Sequence, residues 1–162
     1  MRVLGIDPGS RHCGWGVIER DGTRLRGIAA GTIDPKESDP LEKRLRVIFE
    51  GLEEIIVTHK PAVVAVEEIF YAKFAQSALR LGHARGVVLL AAARADLAIT
   101  AYPPTVIKRS VAGRGAASKE QVAHLVSAIL GLKTTFPVDA TDALAVAITH
   151  ALSRPAVLPS RP

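Results

Sequence analysis

The chain has 162 residues, 48% of them apolar, and a formal charge of +5; it can bury one substantial core but is too short for two ordinary domains. The positive balance attracts polyanions such as nucleic acid. A single cysteine, Cys13, excludes an internal disulfide and a cysteine-rich zinc site, suits a reducing compartment, and is most simply a small buried hydrophobe.

Val3 to Ile6 is a short apolar run of the kind buried on both faces of a sheet, and Asp7-Pro8-Gly9 ends it. It is too short for a signal peptide or a membrane span, so a cytoplasmic protein with no membrane partner is expected. A second strand is predicted from Gly14 to Glu19, Asp21-Gly22 as a two-residue hairpin turn, and a third strand from Thr23 to Ile33. Ser38-Asp39-Pro40 offers capping side chains and a proline suited to a first helical position, and Leu41, Leu45, Ile48, Leu52 and Ile55 then repeat at helical spacing.

After Lys60-Pro61, the run from Ala62 to Val66 reads as a strand delivering Glu67 and Glu68 at its end. Alanine and leucine from Ala75 to Ala95 predict a long helix, with Gly82 and Gly86 as weak points. Leu97 to Tyr102 gives a fifth strand, Thr105 to Ala112 a short helix, and Gly113-Arg114-Gly115 a loop. Ser118 with Gln121 forms a capping box for a helix reaching Leu130, and Asp139 to Leu152 is the last helix. Residues 154–162, rich in proline, predict a disordered tail. The pattern predicts an α/β fold with a mixed five-stranded sheet, its three N-terminal strands antiparallel, flanked by helices in a single domain over 1–153, without repeat or linker.

Two strands end in acids, and Asp139 and Asp142, three apart, share one face of a first helical turn. If Asp7, Glu67, Asp139 and Asp142 meet at one sheet edge, their repulsion calls for divalent cations. Oxygen-only ligands favour magnesium or manganese over zinc. Two such ions about 4 Å apart can activate water and stabilise the leaving oxygen of a phosphodiester. Taken singly, Asp7 could cap a turn, Glu67 could be solvated, and Asp139 could be an N-cap.

These residues resemble the RuvC family from Met1 to about His150. Gly5-Ile6-Asp7-Pro8-Gly9 is similar to its opening motif, and Ala65-Val66-Glu67-Glu68-Ile69-Phe70 to its second acidic strand. Ser77 to Gly82 with Ala84-Arg85-Gly86 resembles its long helix; Tyr102-Pro103, Val106, Lys108 and Lys119 resemble the segments that follow; and Asp139-Ala140-Thr141-Asp142-Ala143-Leu144-Ala145 its closing motif. The resemblance implies a ribonuclease H-like fold, a homodimer, and magnesium-dependent resolution of Holliday junctions by paired symmetrical cuts. Two Mg2+ ions per site would be held by Asp7, Glu67, Asp139 and Asp142, with Mn2+ as a substitute, and a branch-migration motor is a candidate partner.

By the same resemblance Lys108 and Lys119 support the reaction and contact DNA, and Phe70 stacks on a base at the junction centre. By default the lysines are surface residues and Phe70 is core. Phe74, Gln76 and His83 depart from the residues expected there; Phe74 could add a second stacking surface. Lys73, Arg80, Arg85 and Arg114, with Arg11 and Arg109, could neutralise phosphates on the arms. His150 has two readings, a proton shuttle or a structural histidine, and the Ala75–Ala95 helix could line a dimer interface or pack on the sheet.

Two rivals belong to other classes. An actin-like or sugar-kinase-like ATPase lobe also opens with a strand ending in aspartate, but 162 residues are short for two lobes, and no Walker-type loop or second hairpin of that kind appears. A non-catalytic nucleic-acid-binding module would gain nothing from four acids that repel phosphates.

Overall fold

The computed structural model describes residues 1–68 and 75–153. Five strands, β1 (Arg2–Asp7), β2 (Cys13–Asp21), β3 (Arg24–Ile33), β4 (Val63–Glu67) and β5 (Ala98–Tyr102), form one sheet in the order β3-β2-β1-β4-β5. The β1–β2 and β2–β3 pairs are antiparallel, whereas β4 runs parallel to β1 and β5 parallel to β4. The mixed five-stranded sheet and its antiparallel N-terminal meander are as the sequence predicts. The expected tail over 154–162 lies outside the described residues, as do Phe70, Lys73 and Phe74.

Helices cover both faces. On one lie α1 (Leu41–His59) and α2 (Ala75–Arg94), whose Ile48, Leu52, Val88 and Ala92 pack with Leu4, Ile6, Val64 and Val66. On the other lie α3 (Pro104–Ala112), α4 (Lys119–Leu130) and α5 (Val138–Leu152), packed on Val3, Ile18 and Ala65. Because side chains alternate across a strand, the register that sends Leu4, Ile6, Val64 and Val66 to the first face points Asp7 and Glu67 to the second.

Two local details differ from expectation. The hairpin pairs Asp21 with Arg24, so its central residues are Gly22 and Thr23. Gly22 has φ 57°, and a glycine in the first central position is what a type II′ turn requires. At α1 the N-cap is Pro40 itself, in extended conformation, and neither Ser38 nor Asp39 supplies a side-chain cap. The box at α4 is as predicted, with Ser118 and Gln121 each bonded to the other's backbone N–H.

Helix α2 divides along its length. Ala84, Val88, Ala91 and Ala92 are buried, so its C-terminal half is core. Residues 75–80 are exposed, and Leu79 keeps 64% of its surface.

Helix α5 sits unusually close to the sheet. A Cβ placed on Gly5 would collide with the Ala143 carbonyl, and one on Gly14 with the Asp139 carbonyl. Both obstacles are backbone and cannot rotate away. Gly5→Ala is therefore expected to force α5 outward at a cost of about 3 kcal/mol, seen as a fall in Tm of about 9 °C by thermal denaturation; an unchanged Tm would show that the helix has room to spare.

Candidate active site

Strands β1 and β4 lie side by side and parallel, so Asp7 and Glu67 emerge at the same end of the sheet. Helix α5 brings its first turn over that end. Asp7, Glu67 and Asp142 line one cleft together with Lys108 from α3 and Lys119 from α4. Asp139 stands at its margin, over Gly14 of β2, close enough for its charge to act on Asp7. Pro137 is the N-cap of α5, so Asp139 lies inside the first turn and is not the capping residue.

The electrostatics follow from this crowding. Burial raises the Asp7 carboxyl to about 8, and the charges of Glu67, Asp142 and Asp139 push the same way against Lys119. Glu67 is raised chiefly by burial and then by Asp142, with Lys119, a hydrogen bond from Asp7 and Lys108 pulling it down. Lys119 Nζ donates to Asp142 Oδ2 at 3.2 Å. The charge of Asp142, followed by that hydrogen bond, holds the ammonium above its ordinary range.

Among the described residues, no three Asp, Glu, His or Cys side chains already stand in a ligand cage. Asp7 is turned to Glu67, and Asp142 to Lys119. The donor set nevertheless fits a hard divalent cation: it is carboxylate oxygen throughout, and burial, with the charges of the neighbouring acids, holds a proton on Asp7 near neutrality that a cation would displace.

The remaining candidates are more scattered. Arg80 and Arg109 are exposed, Arg114 donates to Gln121 Oε1 at 3.1 Å, and Arg11 lies 3.9 Å from Glu37. Arg85 is half-buried, with an Nε that finds no partner among the described residues. None of these five lines the cleft. His150 does not line it either: its Nδ1 pairs with the Tyr102 hydroxyl at 2.9 Å, burial lowers its pKa, and it sits two turns along α5 from Asp142. The structural reading of His150 fits this placement. Glu68 turns its backbone N–H to the Tyr102 carbonyl.

Two features escaped the sequence reading. Arg44 of α1 donates from Nε and Nη2 to the Ser10 carbonyl, at 3.1 and 2.9 Å, and from Nη2 to Ser10 Oγ. It thereby ties down the loop after Asp7. His12 on that loop bonds Asp34 across the hairpin end. Both contacts link residues more than twenty positions apart, and neither has a local signal.

An open-ended sheet of this order, with acids at the joined ends of its two central parallel strands and a helix supplying two more, defines a ribonuclease H-like nuclease fold of the junction-resolving type. The crossover junction endodeoxyribonuclease RuvC family profile matches residues 3–150, and the chain belongs to that family. It is 54% identical over 150 residues to the crossover junction endodeoxyribonuclease RuvC of Sorangium cellulosum, covering 93% of this chain and 84% of that protein. The structure of T. thermophilus RuvC in complex with Holliday junction substrate is similar at TM-score 0.89 and 39% identity, with 93% of each chain covered. The yeast mitochondrial Holliday junction resolvase Ydc2 shares the fold at TM-score 0.68 and 13% identity over 92% of this chain and 77% of its own. Family membership decides against the ATPase lobe and the non-catalytic module.

The raised Asp7 has a measurable consequence. The folded chain holds a proton up to about pH 8 that an unfolded aspartate releases near pH 4, so in chelator stability should decline as pH rises through that window. Asp7 is only half-buried, and solvent screening trims the effect; one surviving unit is about 1.4 kcal/mol, or about 4 °C in Tm. Melting curves in EDTA should show Asp7→Asn flattening most of this slope, and a wild-type Tm that climbs from pH 5 to about 8 would contradict the assigned cause.

Proposed function

We propose that residues 1–153 act as one nuclease domain that resolves four-way DNA junctions, with Asp7, Glu67, Asp139 and Asp142 as its metal-binding acids and Mg2+ as the ion, two per site. The observation that carries this reading is the meeting of acids from β1, β4 and α5 with two lysines in one cleft. When bound, divalent cations supply an activated water and positive charge for the leaving oxygen, and Mn2+ can substitute.

The chain's own residues do the rest. Asp7, Glu67 and Asp142 present carboxylate oxygens from three rigid elements, so their positions do not depend on a loop. Lys119, held charged by Asp142, stands where it can offset negative charge developing on a phosphate in the cleft. Lys108, acting on Glu67 from α3, reinforces that field. The exposed first turns of α2, with Leu79, support a second copy of the chain docking there; two symmetrical cuts in a two-fold junction need two sites.

Asp7→Asn is expected to keep junction affinity while slowing cutting about 10³-fold. The assay is incision of a fixed four-way junction against linear duplex, in Mg2+ and in EDTA. Cutting retained by the variant removes Asp7 from the catalytic set, and cutting in EDTA removes the metal. As a second readout, Mg2+ or Mn2+ should raise the wild-type Tm at about pH 8 and leave that of Asp7→Asn unmoved.

Lys119→Ala should lower the single-turnover cutting rate about 10²-fold while changing the Kd for the junction by about threefold or less. Equal losses in rate and affinity would make this lysine a plain phosphate contact.

A further inference from the structure

The end of the sheet that carries the acids also carries a second polar cluster. The antiparallel ladder closes with Cys13 opposite Ile33, and one step further His12 Nδ1 meets Asp34 Oδ1 at 2.7 Å. Thr32 Oγ1 donates to the other oxygen, Asp34 Oδ2, at 2.6 Å. Thr32 is paired with Gly14, over which Asp139 sits. The cluster therefore lies on the α5 side of the sheet, beside the acid cleft.

This arrangement fixes the chemistry of the ring. The Asp34 carboxylate, held ionised by its bonds from Thr32 and His12, can only accept, so Nδ1 of His12 must donate and Nε2 is left for an outside partner. His12 and Asp34 each keep about half their side-chain surface, 53% and 51%. A pair so exposed adds little stability, and a threonine orienting an aspartate that orients a histidine is more than a stray surface contact requires. The hydrogen bond that His12 donates to Asp34 keeps the imidazole above its ordinary range, and the charges of Asp34, Asp139 and Glu37 act in the same direction. The nearby Arg11 is directed to Glu37.

We propose that His12, oriented by Asp34 and Thr32, is a DNA-binding residue: its Nε2–H donates to a backbone phosphate of the junction arm that passes the Asp139 side of the cleft. The inference rests on the nuclease reading above. It assigns a cation on β2's side of the acids, opposite Lys108 and Lys119, so that the strand is gripped on both sides of the cleft. Asp34 and Thr32 are positioning residues, because they act only through the ring.

The test is binding of a synthetic four-way junction by the full chain, followed by fluorescence anisotropy in EDTA at about pH 6.5 across a KCl series. His12→Gln should weaken binding about 5–10-fold and lower the magnitude of the salt slope by about one. His12→Arg should retain the slope. Asp34→Asn separates orientation from bulk charge. Removing a negative charge beside DNA would by itself tighten binding, whereas loss of the imidazole's anchor weakens it, and the proposal requires weakening. It also requires that Asp34→Asn add almost nothing in the His12→Gln background. Wild-type affinity and salt slope in His12→Gln, or tighter binding by Asp34→Asn, would overturn it. If the unaltered chain neither bound nor cut the junction, the nuclease reading would fall first, and this inference with it.

Discussion

The close seating of α5 on β1 and β2 is the constraint on which the cleft depends. Gly5, Gly14 and Gly16 face that helix, and a Cβ on any of them would meet its backbone or Leu144. Removing three side chains lets α5 lie almost on the sheet, which carries Asp139 and Asp142 over the ends of β1 and β4. The acids repel one another there, yet the helix cannot back away. Leu144, Val146 and Ile148 are buried almost completely, and each contributes about 1.5–3 kcal/mol of burial that a retreat would forfeit. Hydrophobic packing holds an electrostatic conflict in place, and burial of Asp7 together with that conflict raises its carboxyl.

The positive side of the site is built on α3 and α4, which carry Lys108 and Lys119. Lys119 is the first residue of α4, and the Ser118–Gln121 box fixes that first turn. Asp142 accepts from the ammonium of this same lysine. Arg114 bonds the same Gln121 that completes the box, which ties the preceding loop to the cap. Although exposed, Lys119 is thus tethered at both its backbone and its Nζ, and that is what separates it from an ordinary surface lysine.

Much of this was legible in the sequence because the relevant signals are local. Apolar runs interrupted by Asp7 and Glu67 mark strand ends, three-residue spacing puts Asp139 and Asp142 on one helical face, and the capping box is a four-residue pattern. Expectation failed where a single residue's backbone decided the outcome: Gly22 moved the hairpin turn by one position, and Pro40 took the cap in place of Ser38 or Asp39. What stayed hidden depends on register between distant segments. His12 and Asp34 meet only because β2 and β3 pair as they do, and Arg44 reaches Ser10 only because α1 crosses beneath the loop. The alternating glycines at Gly14 and Gly16 were the one overlooked signal that could have announced how closely α5 approaches.

Attraction of DNA and admission of its phosphate to the cleft are separate problems for this chain. A formal charge of +5 acts over about a Debye length of 10 Å and draws a junction to the surface. Within the cleft the acids oppose any phosphate, and the two lysines only partly offset them. On the proposed reading, close approach of the scissile group waits on added positive charge, while the arms are held by cations around the rim. In the proposed site, binding and cutting are uncoupled by the spatial order of charges alone, with no moving part: basic and imidazole groups outside, carboxylates at the centre.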